Sequence, residues 1–392
     1  MKKHIYCGVL ACALMTAGCQ NELYKDPVAD FQSAQAVYMV TDETAQIFVE
    51  ENKNASVKNI ILGLSQKENT ENTVSLEVGN QAQLDAYNQK HGTEYILLPK
   101  EMYQVEEMVK FQPEQTSLIV PLEIKDVKFS MKGTYALPLK VNQGSVTSIP
   151  GQTETVLVLE QRINTKCVRI NGSGSENANM FPNDFKVEQW TMEAMVRRSA
   201  YVANNRSIGG TKLVKGSNMI DEIFTRFGDV TIKPNQLQIK TGNSQIDIAA
   251  DKFSAQPDDW YMLSFVYDGK KNYVYVNGEL VADREIRTGP YGLVGFWISG
   301  SNEYIREIRF WKSARTPQQL KAYVWKMVDA SDKDLLLYYP LNGKKRDAKT
   351  GEITEDETMF WDWSNNQKHL PLAKGAKFDN NGGSGFTFPA AK

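Results

Sequence analysis

Residues 260–281 leave this chain little choice of secondary structure. Trp260-Tyr261-Met262-Leu263-Ser264-Phe265-Val266-Tyr267 is a run of strand formers, Asp268-Gly269-Lys270-Lys271-Asn272 supplies a turn, and Tyr273-Val274-Tyr275-Val276 returns. Asn277-Gly278 makes the next turn, because both residues tolerate the positive φ angles of a type I′ hairpin. Three adjacent antiparallel strands follow from this stretch alone. Residues 167–170, 190–196, 220–227, 237–240, 245–248, 293–298, 307–311 and 335–340 read as further strands. Residues 317–328 read as one helix, with Pro317 in its first turn and Leu320, Tyr323, Val324 and Met327 on one face. So many strands around one helix predict a two-sheet jelly roll over residues 165–392.

The chain before it is also strand-rich. Residues 36–40, 47–50, 57–64, 74–78, 117–124, 135–141 and 155–159 read as strands, and several alternate apolar with polar side chains, as half-buried antiparallel strands do. A helix is predicted over 81–90, stopped by Gly92. Pro, Gly and Asn between these strands predict an immunoglobulin-like β-sandwich over residues 28–162. The fold class is therefore all-β, with two domains.

The N-terminus reads as an export signal. Lys2 and Lys3 precede a mostly apolar run, 5–17, too short to span a membrane core of roughly 30 Å. Thr16-Ala17-Gly18-Cys19 follows, and Ala17-Gly18-Cys19 resembles the lipobox of bacterial lipoproteins, with Thr16 departing from the usual Leu. That resemblance implies cleavage after residue 18, acylation of Cys19 and a polar tether over 19–27. Lipid chains on one residue exceed the two signals that stable anchoring needs. Cys7 and Cys12 leave with the signal, so Cys167 has no partner for an internal disulfide. Losing Lys2 and Lys3 takes the formal charge from -2 to about -4, which excludes a basic nucleic-acid footprint.

Two further resemblances are carried by ordered motifs. Leu84-Asp85-Ala86-Tyr87-Asn88, Tyr95-Ile96-Leu97-Leu98-Pro99 and Tyr135-Ala136-Leu137-Pro138-Leu139 resemble an uncharacterised N-terminal domain family of Bacteroidetes glycan-utilisation lipoproteins. Trp190-Thr191-Met192-Glu193-Ala194-Met195-Val196, Lys212-Leu213-Val214-Lys215-Gly216, the 260–278 meander, residues 305–316, Tyr338-Tyr339-Pro340-Leu341-Asn342 and Trp361-Asp362-Trp363-Ser364 resemble laminin-G-like, concanavalin A-like jelly rolls. Arg306 stands where that family has Asp. The lipobox and the first of these two resemblances together imply an outer-membrane lipoprotein at the cell surface, working beside other glycan-uptake proteins. Related folds bind calcium through loop oxygens, which leaves calcium open, although no Asp-x-Asp cluster is present.

A fold does not set a function. Glycan cleavage needs two carboxyl groups flanking the scissile bond. Asp221 and Glu222 are adjacent and face opposite ways, Asp247 has no acid two residues away, and Glu303 and Glu307 bracket the start of a scaffold strand. His91 and His369 are too few for a zinc cluster. The expectation is a non-enzyme that binds a glycan or oligosaccharide, with an adhesion or assembly module and a divergent glycoside hydrolase as alternatives. Sugar rings stack on exposed aromatics whose polar neighbours reach the hydroxyls. Loop-like surroundings single out Phe181, Tyr201, Tyr291, Trp297 and Tyr304. Trp297 has a competing place in a strand core, which makes Tyr291 the safer surface candidate.

Overall fold

The computed structural model describes residues 35–130, 133–213 and 221–390. The predicted signal, Cys19 and the tether lie outside the described residues. Among those described, no helix is long and apolar enough to cross a membrane.

The N-terminal unit is a β-sandwich. Its larger sheet contains β1 (Thr44–Glu50), β2 (Asn72–Val78), β3 (Tyr135–Asn142) and β4 (Glu154–Thr165), in the order β1-β4-β3-β2. Not all of it is antiparallel: β1 lies parallel to β4, with Thr44 opposite Val156 and Glu50 opposite Arg162. The apolar run of β4 serves two cores. Leu157 and Leu159 enter the sandwich, while Val156 and Val158 pack under Leu84 of helix α1 (Gln81–His91). Asn80 and Gln83 form a capping box at the start of α1, and Gly92 closes it in the left-handed conformation, φ 64°. Two predicted strands are each broken in half. Residues 57–64 divide into Ala55–Val57 and Ile61–Leu64, and residues 117–124 into Ser117–Ile119 and Leu122–Ile124, and in each case the halves join different sheets. Pro121 has no N–H for a ladder, so the chain turns a sandwich corner there.

The C-terminal unit is a jelly roll. Its strands are β5 (Cys167–Asn177), β6 (Trp190–Arg198), β7 (Arg206–Lys212), β8 (Ile223–Phe227), β9 (Leu237–Thr241), β10 (Ser244–Asp247), β11 (Trp260–Tyr267), β12 (Asn272–Val276), β13 (Glu279–Arg284), β14 (Gly295–Trp311), β15 (Leu335–Tyr339) and β16 (Phe386–Phe388). The predicted 293–298 and 307–311 strands are one strand, β14. Its first half pairs with β7, its second with β6 and β15, and β5 follows it across both. The strand crosses from one layer to the other through register shifts between Ile170 and Ser173, where Gly172 and Asn302 take positive φ, 71° and 78°. Trp190, Met192, Phe265, Phe296, Ile298 and Phe310 fill the space between the layers.

The predicted 317–328 helix stops early. Helix α2 is Pro317–Ala322, because the carbonyls of Tyr323 and Lys326 are taken by the guanidinium of Arg309 instead of by the next turn. Arg309 also bonds Glu307 at 2.8 Å and reaches Glu193, which accepts from Trp311 Nε1 at 2.9 Å. Tyr338 donates to Glu307 at 2.8 Å. Arg306 bonds Glu307 through Nη2 and lies over the ring of Phe388, while its Nε and Nη1 have no hydrogen-bond partner. Asp362 accepts from the backbone of Tyr338, Ser364 and Lys368; burial pushes its carboxyl up to about 6 against those bonds.

Chain continuity and polar contacts join the two units. β4 runs on to Thr165, where residues 163–165 pair with β16, and Lys326 bonds both Glu160 and Thr134. The sandwich core draws on residues 37–159 and the jelly-roll core on residues 168–373. Residues 28–162 and 163–392, produced separately, are expected to melt cooperatively by calorimetry; failure of both would place the boundary elsewhere. Glu307→Ala removes the buried carboxylate that Arg306, Arg309 and Tyr338 share and leaves Glu193 as the one carboxylate facing Arg309, so a loss of about 3–5 kcal/mol is expected in a denaturant titration. A loss below about 1 kcal/mol would remove this network from the structural account.

Candidate functional site

One sheet face of the jelly roll looks outward. Alternation sends Ile223, Ile239, Ile246 and Ile298 into the core and their neighbours to the opposite face, where Gln238 is covered by its polar partners. Register aligns those neighbours in two rows across the strands. The first runs from Gln245 through Lys240, Phe224, Gly210 and Trp297 to Glu176. In the second, Asp247, Gln238, Arg226 and Ser207 lead toward Ser299 and Gly174.

The first row contains an aromatic pair. Phe224 and Trp297 are both half-buried, their ring centroids 6.2 Å apart and tilted by 47°. Gly210 separates their strands, and a Cβ there would meet the Ile223 carbonyl oxygen at 2.4 Å. Only glycine lets these strands approach with both rings on the face. Trp297 Nε1 donates to the Thr211 carbonyl at 3.2 Å, which fixes the indole's orientation.

Polar groups surround the pair. Arg226 donates to Gln238 at 2.7 Å and to Asp229 at 2.6 Å. The Gln238 amide donates to Asp229 at 3.0 Å and to Asp247 at 2.6 Å. The hydrogen bond from Gln238, aided by Arg226, holds the Asp229 carboxyl below the usual carboxylate range. Lys212 pairs with Glu176 beside Trp297. The sequence concealed the meeting of Asp229 and Asp247, because they lie eighteen residues apart on the two sides of β9.

The five aromatics singled out from the sequence do not converge. Tyr291 is fully buried, its ring edge-on to Trp190 and Tyr267 and its hydroxyl 2.8 Å from Thr241, so it is a core residue and not a surface platform. Its setting between Pro290 and Gly292 suggested a loop; a two-residue bridge to Val187 holds it inward instead. Tyr304 lies on β14 beneath β16, against Trp260 and Phe386, with its hydroxyl on Asp379 at 2.7 Å. Tyr201 packs edge-on against Phe227 and under Arg198, and burial raises its hydroxyl well above the usual range. Phe181 stacks on Phe185 at 4.8 Å. Of the five, Trp297 stands on the outward face; its partner Phe224 escaped the sequence reading because it sits inside an apparently ordinary strand.

Other reactive groups are committed. Glu303 is buried against Arg198, and burial holds its carboxyl above the usual range despite that partner. Asp221 bonds Arg287 at 2.6 Å. Cys167 is buried and free, its thiol pushed up to about 12 by desolvation, which keeps it from being a thiolate. Among the described residues, no group of three or more His, Cys, Asp or Glu is placed to hold a metal ion.

Comparison with known proteins agrees with this architecture. Residues 171–321 match the model of the concanavalin A-like lectin/glucanases superfamily. The jelly roll is a concanavalin A-like domain. Residues 31–147 match a second model, described as an N-terminal domain, whose description states no activity. A solved structure from Bacteroides ovatus ATCC 8483, described as a candidate carbohydrate-binding protein, is 21% identical with a TM-score of 0.54; the match covers 88% of this chain and 97% of that one. The likeness spans the β-sandwich and the concanavalin A-like domain together, and it shows the fold. A heptameric SAP-like pentraxin from Limulus polyphemus matches at 16% identity and a TM-score of 0.31, over 40% of this chain and 81% of that one. Domain 4 of an arabinanase from Geobacillus stearothermophilus, solved with arabinotriose, matches at 14% identity and 0.29, over 40% and 86%. Likeness that weak says nothing of this chain's ligand. No curated protein is significantly similar in sequence.

Proposed function

We propose that this protein is a lipid-anchored surface lipoprotein that captures glycan chains on the outward face of its concanavalin A-like domain and does not cleave them. The pairing of Phe224 with Trp297 across Gly210 carries the reading. It gives two flat apolar faces in a setting of amides and charges, which suits a sugar's C–H face and its hydroxyls together. The carbohydrate-binding description of the Bacteroides ovatus protein, which covers both domains, supports it. The lipobox at Cys19 supports the anchor, and other outer-membrane glycan-uptake proteins are the fitting neighbours.

Asp229 and Asp247, both on the Gln238 amide, favour a hydrolase as the second reading. A general acid needs a raised pKa, and Asp229 is pushed the other way. Binding is the better account. Purified residues 20–392 are expected to bind on a glycan array and to release no reducing sugar from the polysaccharide they bind. Trp297→Ala and Phe224→Ala are each expected to weaken that binding about tenfold or more, about 1–3 kcal/mol per stacked ring by analogy with base stacking. Unchanged affinity in both variants would clear this face of any role, and sugar release lost in Asp229→Asn would convert the reading to catalysis. Cys19→Ala is expected to abolish palmitate incorporation and membrane fractionation; continued labelling would refute the anchor.

A further inference from the structure

At the end of the outward face, the two bulges that bend β5 and β14 open a pocket of about 280 Å³. Asn171, Gly172 and Ser301 come from the bulged strands, Arg198 and Arg206 from the ends of β6 and β7, and Val202 from the connection between them. Arg198 is only 4% exposed, yet its Nε and Nη1 have no hydrogen-bond partner. Its Nη2 pairs with Glu303, whose other oxygen accepts the Ser301 N–H, so both carboxylate oxygens are engaged. Arg206 is half-buried and has no carboxylate partner among the described residues; its Nη1 lies 3.4 Å from Ser301 Oγ. Two guanidiniums against one carboxylate leave the pocket with a net positive charge.

From this we infer that the pocket binds the acidic group of an anionic saccharide, the carboxylate of a uronic acid or a sulfate ester. A guanidinium recognises such oxyanions through paired N–H donors, and it does so best where water is largely excluded. Val202, 86% exposed at the rim, offers an apolar contact for the ring that carries the charge. The pocket continues the proposed binding face. Trp297, Ser299 and Ser301 alternate along β14, so the aromatic pair and the arginines are roughly 13 Å apart at about 3.3 Å per residue. An oligosaccharide stacked on Trp297 would present an acidic unit to Arg206 further along its chain. This assignment rests on the glycan reading and names the class of glycan.

The test uses residues 20–392 and three probes: oligogalacturonate, its methyl-esterified form and a sulfated oligosaccharide, titrated by calorimetry. At least one acidic probe is expected to bind about tenfold tighter than the ester, and tighter in low salt. Arg206→Ala should erase that preference while leaving affinity for the ester unchanged. Val202→Asp, a change at an exposed position that brings a like charge to the rim, should do the same without lowering the melting temperature. Preference for the sulfated probe would assign the pocket to a tetrahedral anion, and preference for oligogalacturonate to a planar one. Equal affinity for acidic and esterified probes, or a preference that survives both variants, would overturn the inference and leave glycan binding standing. Binding of none of these probes or of any arrayed glycan would remove both.

Discussion

Arg309 holds together parts of the structure that are remote in sequence. It is fully buried, and burying a guanidinium without partners would cost several kcal/mol. Glu307 and Glu193 supply the opposing charge, and the Tyr323 and Lys326 carbonyls accept further bonds from its Nη1 and Nη2. Satisfying one buried cation therefore ends helix α2 and bends residues 323–326 back onto β14. That bend directs Lys326 to Glu160 and Thr134 of the β-sandwich, so the polar contacts made there across the domain junction follow from a charge buried in the jelly roll. The acidic and basic residues of residues 190–196 and 305–316 are read most economically as scaffold: Glu193, Glu307 and Arg309 spend their hydrogen bonds on one another, on the buried side chains of Trp311, Tyr338 and Arg306, and on backbone.

How far the sequence was legible depends on the range of the forces involved. The 260–278 meander and helix α1 are decided by turn residues, caps and alternation, all local, and they form where the pattern places them. Residues 317–328 have a helical period, but a guanidinium from β14 competes for the carbonyls, and no window on the local sequence contains it. The same limit separates Trp297 from Tyr291. Both stand among glycines, and glycine spacing signals that the backbone turns without saying which side chain turns inward. What decides is register: Trp297 is paired with Gly210 on the outer face, whereas Tyr291 is bridged to Val187 and swings under Trp190. Phe224 could have been found only by aligning β8 with β14 through β7, a contact between residues more than seventy positions apart.

β14 connects the scaffold to the proposed binding surface. Its C-terminal half is charged and buried, its N-terminal half is apolar with an outward Trp297, and the bulges at Asn302 and Gly172 separate the two. A strand that continued without a bulge would keep one alternation throughout, and Glu303 could not turn inward to Arg198 while Ser299 and Ser301 stay on the face. The irregularity lets one strand present a hydrophobic platform at one end and an ion network at the other. It also explains why the unpartnered donors of Arg198 sit where they do. The bulges remove ladder partners from both strands at the same level, and the opening they leave lies beside the one buried guanidinium there, Arg198, whose Nε and Nη1 nothing else satisfies.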